Sequence, residues 1–391
     1  MRNEFLPFAA PLLGHEEIEA VVECLQSGWL TTGLKVKQFE SDFAAYITPP
    51  GSPAPHALAV NSCTAALHLA LEAVGVGPGD EVITTPMTFT ATAAVIEHLG
   101  ARPVFADIDP VTMNIDPLQV ERRMSPRTKA ILPVHFAGQA CDLDAISAIA
   151  RAHGVPVIED AAHAIPTRYH GQLVGTLSDI TCFSFYATKN ITTGEGGMVV
   201  TGNEAYAERM KLMHLHGMSR DAWKRYTQNG TWSYDILAPG FKYNLTDIAA
   251  AIGIQQLRKC DAFHARRRAI ADQYDAAFAN MSGIRVPQVA ERDAHGWHLY
   301  VVQVDPAQVP MGRDGFIREL VARKIGISVH FIPLHIQPYY RDRYGLAPGD
   351  FPNALAAYER IVSLPIYARM TDADVHDVIE AVQDVMLGVR S

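Results

Sequence analysis

Five cysteines in 391 residues, at positions 24, 63, 141, 182 and 260, are odd in number and widely scattered, and no CxxC pair is among them. That excludes a disulfide framework and a cysteine-based zinc site, and suits a reducing compartment. No apolar run approaches the roughly 20 residues that cross a bilayer. The opening MRNEFLPFAAPLLGHEE carries one arginine and an apolar patch broken by Pro7 and Pro11, a poor secretion signal. The expectation is a cytoplasmic protein with no membrane partner. Basic residues are in deficit, 33 Lys plus Arg against 42 Asp plus Glu for a net charge of −9, so a broad nucleic-acid-binding surface is not expected. Also missing are internal repeats, low-complexity segments, the GxxxxGK[ST] spacing, a GxGxxG turn after a strand and an HExxH pattern. His214 with His216, and His295 with His298, lack acidic or cysteine companions, so the sixteen histidines point to no metal.

What is present is an ordinary globular composition, 48% hydrophobic and 19% charged, in a chain long enough for two or three units or one large α/β domain with a satellite. Short apolar runs alternate with longer amphipathic ones. Strands are expected at His56–Val60, Glu81–Thr85, Arg102–Ile108, Thr128–His135, Val155–Asp160, Asp179–Phe185 and Gly197–Thr201. Helices are expected at Thr64–Val74, Thr90–Leu99, Leu143–His153 and Glu204–Leu215. Alternation of this kind makes a mostly parallel sheet covered on both faces, with ILPV and VPVIED as central strands. From His214 to Gly240 the sequence is polar and rich in Trp and Tyr without a period, which reads as a long exposed loop lining a pocket or partner surface. A helical pattern then runs from Thr246 through Arg268 to about Asn280, and strands at Trp297–Asp305 and Ile327–Ile332 suggest a smaller C-terminal α+β unit.

Three segments carry chemistry. Asn61-Ser62-Cys63-Thr64-Ala65-Ala66 follows a strand and opens an apolar helix, which makes it an ordinary N-cap or an anion site. In Val157-Ile158-Glu159-Asp160-Ala161-Ala162-His163 two carboxylates end a buried strand; Asp160 needs a cationic partner or a cap there, and Glu159 should face the other side. The strand before Tyr186-Ala187-Thr188-Lys189-Asn190 brings Lys189 to the mouth of a glycine-bearing turn with Gly194, Gly196 and Gly197. Its neighbours are nearly uncharged, so Lys189 is either a snorkelling surface lysine or an amine of lowered pKa suited to nucleophilic work. Together, a phosphate-sized helix terminus, a strand-end carboxylate and such a lysine are the parts that hold pyridoxal phosphate (PLP). The lysine would form the Schiff base, the carboxylate would keep the pyridine nitrogen protonated, and the helix terminus with Ser184 would anchor the phosphate.

The segments SGWLTTGLKVKQFE, LAVNSCTAALHLAL, GDEVITTPMTFTATA, FADIDPVTMNID, PVHFAGQACD, VIEDAAHA, CFSFYATKNITTGEGGMVVT, APGFKYNLTDIAAAIGIQQL and VHFIPLHIQPYY resemble the DegT/DnrJ/EryC1/StrS sugar aminotransferases over nearly the whole chain. The resemblance implies the aspartate aminotransferase fold (fold type I): a large PLP-binding domain at 1–250, with an N-terminal arm and a mostly parallel seven-stranded sheet, and a small C-terminal α+β domain at 251–391. It implies that Lys189 is catalytic, that Asp160 pairs with the pyridine nitrogen and that His163 contacts the ring near O3′. It also implies that Phe89 stacks on the ring and that Thr64, Ala65 and Ser184 take the phosphate. Asn244 would reach the cofactor phosphate of the second subunit of a homodimer with shared active sites. There this chain departs from the common G-Y-N-x-R, with Lys242 in the Asn place and Asn244 in the Arg place; Cys63 stands where Gly is common, and His163 where other branches have Gln. Those changes resemble the branch that aminates C4 of UDP-linked 4-keto sugars. His330 resembles a position near the sugar, and the loop residues Trp223, Arg225, Tyr226 and Trp232 a lid or nucleotide contact. The implied reaction moves an amino group from L-glutamate, leaving 2-oxoglutarate, to a nucleotide-linked keto sugar for lipopolysaccharide or other glycan synthesis. Amination at C3 of a dTDP- or GDP-keto sugar and a non-catalytic regulatory role are the alternatives. The related dehydratases carry His in place of the lysine, which Lys189 argues against.

Overall fold

The computed structural model describes residues 2, 4–219, 234–289 and 294–388. The apolar runs become β1 (His56–Val60), β2 (Glu81–Thr84), β3 (Arg102–Phe105), β4 (Thr128–Leu132) and β5 (Ile158–Asp160), then, after a small hairpin of β6 (Arg168–Tyr169) and β7 (Gln172–Leu173), β8 (Ile180–Ser184) and β9 (Gly197–Thr201). Hydrogen bonding orders them β1-β9-β8-β5 and β3-β2-β4, and the parallel bridges Ile131–Val157 and Val134–Asp160 join the two groups into one seven-stranded sheet. Only β9 runs against the rest. No crossover helix separates it from β8, and without one the returning strand pairs antiparallel.

Alternation along the strands divides the core between the two faces. Leu58, Val60, Ile180, Cys182 and Val199 pack beneath α3 (Cys63–Ala73), after which comes α4 (Ala91–His98). Ala59, Phe183, Met198 and Val200 pack beneath Phe39 and Phe43 of the earlier helix α2 (Leu34–Ile47), which follows α1 (His15–Ser27). Ser62 starts α3 as an N-cap, its Oγ accepting the Ala65 N–H at 3.1 Å. The helix Asp247–Arg258 packs against α1 and α2 and spans the expected boundary at residue 250.

The C-terminal part has a core of its own, in which Tyr274, Phe278, Tyr300, Val302, Phe316, Val378 and Val382 pack between helices and an antiparallel sheet of β10 (Ile284–Arg285), β11 (Tyr300–Val304) and β12 (Ile361–Leu364). Two expectations need correction. The single helix expected from Thr246 to about Asn280 is two, Asp247–Arg258 and Cys260–Phe278, broken at Lys259, whose Nζ binds Glu16 and Glu17. Residues 327–332 form no strand: Ser328 alone bridges Ser363, and the chain then leaves the ladder, with His330 Nδ1 2.9 Å from Ser363 Oγ. The expected loop from His214 to Gly240 is closed at its base by the antiparallel bridges Leu215–Lys242 and Met218–Ile236, and its middle, 220–233, lies outside the described residues.

Register decides what meets at the sheet edge. Val60 pairs with Gly197 and Gly197 with Ser184, while Asp160 pairs with Cys182. The carboxyl ends of β1, β5 and β8 therefore share one edge, where parallel sheets hold ligands.

Candidate active site

A cavity of about 450 Å³ opens at that edge. Its lining brings together Thr64, Phe89, Asp160, His163, Ser184, Lys189 and His330. Ala65 is buried beneath it, its N–H already given to Ser62. The amides of Cys63 and Thr64, in the first turn of α3, have no intrahelical acceptor and sit at the positive end of the helix dipole. Gly197 keeps the space before them clear, since a Cβ there would lie 2.7 Å from Cys63 N and 2.8 Å from Phe183 O. Sequence reading assigned Gly197 to a tight turn. The turn's left-handed residue is Gly194, at φ 82°, and Gly197 serves close approach instead.

Asp160 is buried, which raises its pKa above the usual carboxylate value. Two donors oppose that: Thr92 Oγ1–H to Oδ2 at 2.8 Å and Ala162 N–H to Oδ1 at 3.1 Å. Glu159 does face the other side, where His135 Nε2 lies 2.6 Å from Oε2 and Thr181 Oγ1 donates to Oε1 at 2.9 Å. Lys189 follows a turn closed by its own N–H on Tyr186 O at 2.8 Å. Burial lowers its ammonium pKa to about 8, with the charge of Asp160 opposing; the nearby Cys63 thiol, pushed well above its ordinary value by burial, is neutral. Lys189 is half-buried on the cavity wall rather than on an open charged face.

Three imidazoles border the same space. Burial and the Lys189 charge push His163 and His298 well below the ordinary histidine value and His330 to about 4, so all three are neutral at pH 7. The His163 and His298 rings are 4.3 Å apart, and His163 Nδ1 is buried with no hydrogen-bond partner among the described residues. Phe89 is 62% exposed at the cavity, so core packing does not account for it.

These residues fit PLP. The Cys63 and Thr64 amides with Ser184 Oγ suit its phosphate, Asp160 its ring nitrogen, Lys189 its aldehyde and Phe89 its ring face, and the unpartnered nitrogen of His163 has need of a polar group. Asn244 does not line its own chain's cavity: its Nδ2 donates to Thr32 Oγ1 at 2.6 Å and its Oδ1 accepts from Lys242 Nζ. Trp223, Arg225, Tyr226 and Trp232 lie outside the described residues. Sequence reasoning missed Thr92, His298, Phe8 and Phe331. The i, i+4 pair Thr88 and Thr92 was a usable signal; for the two phenylalanines none exists in the local sequence.

A model of the DegT/DnrJ/EryC1/StrS aminotransferase family matches residues 11–383. This chain belongs to that family. The spore coat polysaccharide biosynthesis protein SpsC of Bacillus subtilis is 53% identical over 388 residues, covering 99% of this chain and 98% of that protein. The PLP form of Spr1654 from Streptococcus pneumoniae superposes with a TM-score of 0.89 at 34% identity, over 98% of this chain and 99% of that one. PseC of Helicobacter pylori, an aminotransferase involved in the biosynthesis of pseudoaminic acid, gives a TM-score of 0.90 at 30% identity, over 99% and 100%. The protein is thus a PLP-dependent sugar aminotransferase of fold type I.

Proposed function

We propose that this aminotransferase takes the amino group of L-glutamate and delivers it to the C4 ketone of a UDP-linked 4-keto sugar. The observation that carries the reading is Lys189, an amine with a pKa of about 8 on a cavity wall shared with the buried Asp160. Support for a sugar substrate comes from the likeness to PseC, an aminotransferase of pseudoaminic acid biosynthesis, and to SpsC, a spore coat polysaccharide biosynthesis protein; the C4 and UDP assignment rests on the resemblance of His163 to the C4-aminating branch.

When bound, PLP supplies an electron sink and carries the amino group between the two substrates. Asp160, held by Thr92 and Ala162, keeps a proton on the ring nitrogen so that the sink works. The amides of Cys63 and Thr64 with Ser184 Oγ fix the phosphate, and neutral His163 orients the ring near O3′. Lys189 Nζ binds the cofactor at rest, removes the Cα proton of the donor and returns a proton to the sugar carbon; a pKa near 8 suits both roles at neutral pH. In this reading His330, on the cavity wall, would meet the sugar.

A homodimer with Asn244 serving the partner's phosphate belongs to this reading. Its support is the exposed apolar face of α1, Ile18, Val22 and Leu25, together with Leu34, which is 77% exposed. Division into a cofactor unit and a C-terminal unit is supported by the separate core around Tyr300, although the helix Asp247–Arg258, packed on α1 and α2, carries the first unit beyond residue 250. Cytoplasmic placement is supported by five free cysteines, and among the described residues no helix is long and apolar enough to cross a membrane. The test is incubation of holoenzyme with glutamate and UDP-, dTDP-, GDP- and CDP-linked keto sugars. A 4-amino sugar from the UDP compounds alone supports the proposal, and a 3-amino product or preference for another nucleotide overturns it.

A further inference from the structure

Asn190 follows Lys189 in the chain and is 7% exposed, with both ends of its amide engaged. Nδ2 donates to Ile165 O and to Gly296 O, each at 2.6 Å. Two carbonyl acceptors fix which end of the amide is nitrogen, so the atom 3.2 Å from His298 Nδ1 is Oδ1, an acceptor. His298 therefore carries a proton on Nδ1. Being neutral, it has none on Nε2, and the ring stands on the cavity wall in one tautomer.

The backbone of His298 is held as firmly as its ring. Arg267, 3% exposed, reaches from Nη1 to Ile366 O at 2.6 Å, Trp297 O at 3.2 Å and His298 O at 3.4 Å. The N–H groups of His298 and Leu299 both go to Ala137 O at 3.1 Å. Against this fixed ring lies the His163 imidazole, tilted by 38° with centroids 4.3 Å apart, and Phe331 stacks on His163 at 5.8 Å and 15°. No hydrogen bond reaches the buried His163 Nδ1 among the described residues, so ring packing sets its plane. The charges acting on the two imidazoles are Lys189 on both and Arg267 on His298, and the other titratable group facing them is the neutral His330.

We propose that Asn190 and His298 are positioning residues that act through His163: Asn190 fixes the His298 ring, and that ring holds His163 in the plane from which it meets the O3′ oxygen of PLP. The proposal rests on the reading of the cavity that puts His163 at O3′. A donor at O3′ competes for that oxygen with the proton on the Lys189 nitrogen, so losing the donor raises the pH at which the proton leaves. The experiment titrates the near-visible cofactor band against pH, without substrate, in holoenzyme of the wild type, His298→Ala, His298→Phe, Asn190→Ala, His163→Phe and the double variant His163→Phe with His298→Ala. His298→Ala and Asn190→Ala should each raise the midpoint by about half a pH unit or more, roughly a threefold change in the proton equilibrium. His298→Phe keeps a flat ring against His163 and should recover most of the shift. In the His163→Phe background His298→Ala should add nothing, because the group it acts through is gone. PLP affinity should follow the same pattern, falling about threefold in the two alanine variants, and it decides where the band does not move with pH. Wild-type midpoints and affinities in both alanine variants overturn the proposal, as does an equal shift with and without His163, which would mark a general loosening. A wild type that shows no band when supplied with PLP sinks the cofactor reading as well, so the two failures are distinct. Should Asn190→Ala not fold, His298→Ala and the double variant decide.

Discussion

Thr92→Val removes one hydroxyl from a fully buried position and leaves the shape of the side chain nearly intact. The hydroxyl donates to Asp160 Oδ2 at 2.8 Å and lies 2.7 Å from Thr88 Oγ1, so it relays a chain of hydroxyls onto the carboxylate. Burial already raises the Asp160 pKa, and the Thr92 bond is the largest influence opposing that rise. A hydrogen bond to a buried charge contributes about 1.5–3 kcal/mol. Its loss should therefore lift the Asp160 pKa further and weaken PLP binding roughly tenfold to hundredfold at low pH, because the anion that pairs with the ring nitrogen becomes costlier. Thr88→Val, one bond further away, should cost about threefold. The assay is PLP affinity by fluorescence titration across pH, with the near-visible band recorded at each point. The sign follows from the shift: the Thr92→Val deficit should be greatest at low pH and shrink as the pH rises past the elevated Asp160 pKa. Binding within twofold of wild type at every pH would refute the role given to Asp160.

Gly197→Ala should lose several-fold or more in PLP affinity and about 2–4 kcal/mol in stability by denaturant titration, since its Cβ would meet only backbone, at Ser62, Cys63 and Phe183; wild-type values for both would remove the close-approach argument. Glu40, its pKa raised by burial to about 7, keeps its proton in the folded chain above the pH at which the unfolded chain loses it. Folding stability should therefore fall by on the order of 1–3 kcal/mol as pH rises from about 4.5 to 7. Glu40→Gln should flatten that slope in thermal melts while still accepting the Ala59 N–H, and an unchanged slope would contradict the assignment. In the apoprotein the rate of PLP capture should rise with pH about a midpoint near 8, where Lys189 becomes neutral; a midpoint near 10.5 would mean an amine in water.

The seven strands were legible because central parallel strands bury both faces and so read as unbroken apolar runs, and Ser62 announced α3 as a small polar cap before ALHLALEAV. Asp160 and Lys189 could be singled out because charge at the end of an apolar run is costly without a purpose. Thr92 left only the weak sign of its i, i+4 spacing from Thr88, and His298 none, since the meaning of each depends on which carboxylate or ring it meets. Phe8 is a half-buried aromatic in the segment ahead of α1, and only the bridge of its neighbour Leu6 to Ile325, more than 300 residues away, gives it a place. Residues 327–332 have strand composition, yet side-chain bonding at His330 and the onset of Pro333 take the chain out of the ladder. Lys259 sits inside an unbroken helical pattern and still ends a helix, because tertiary pairing with Glu16 and Glu17 outweighs local propensity.

The most direct measurement is to reduce the holoenzyme with borohydride and map the modified peptide by mass spectrometry. The pyridoxyl mass should sit on Lys189 alone and vanish in Lys189→Ala. A modification on another lysine, or none in a protein that binds PLP, would contradict the site described above.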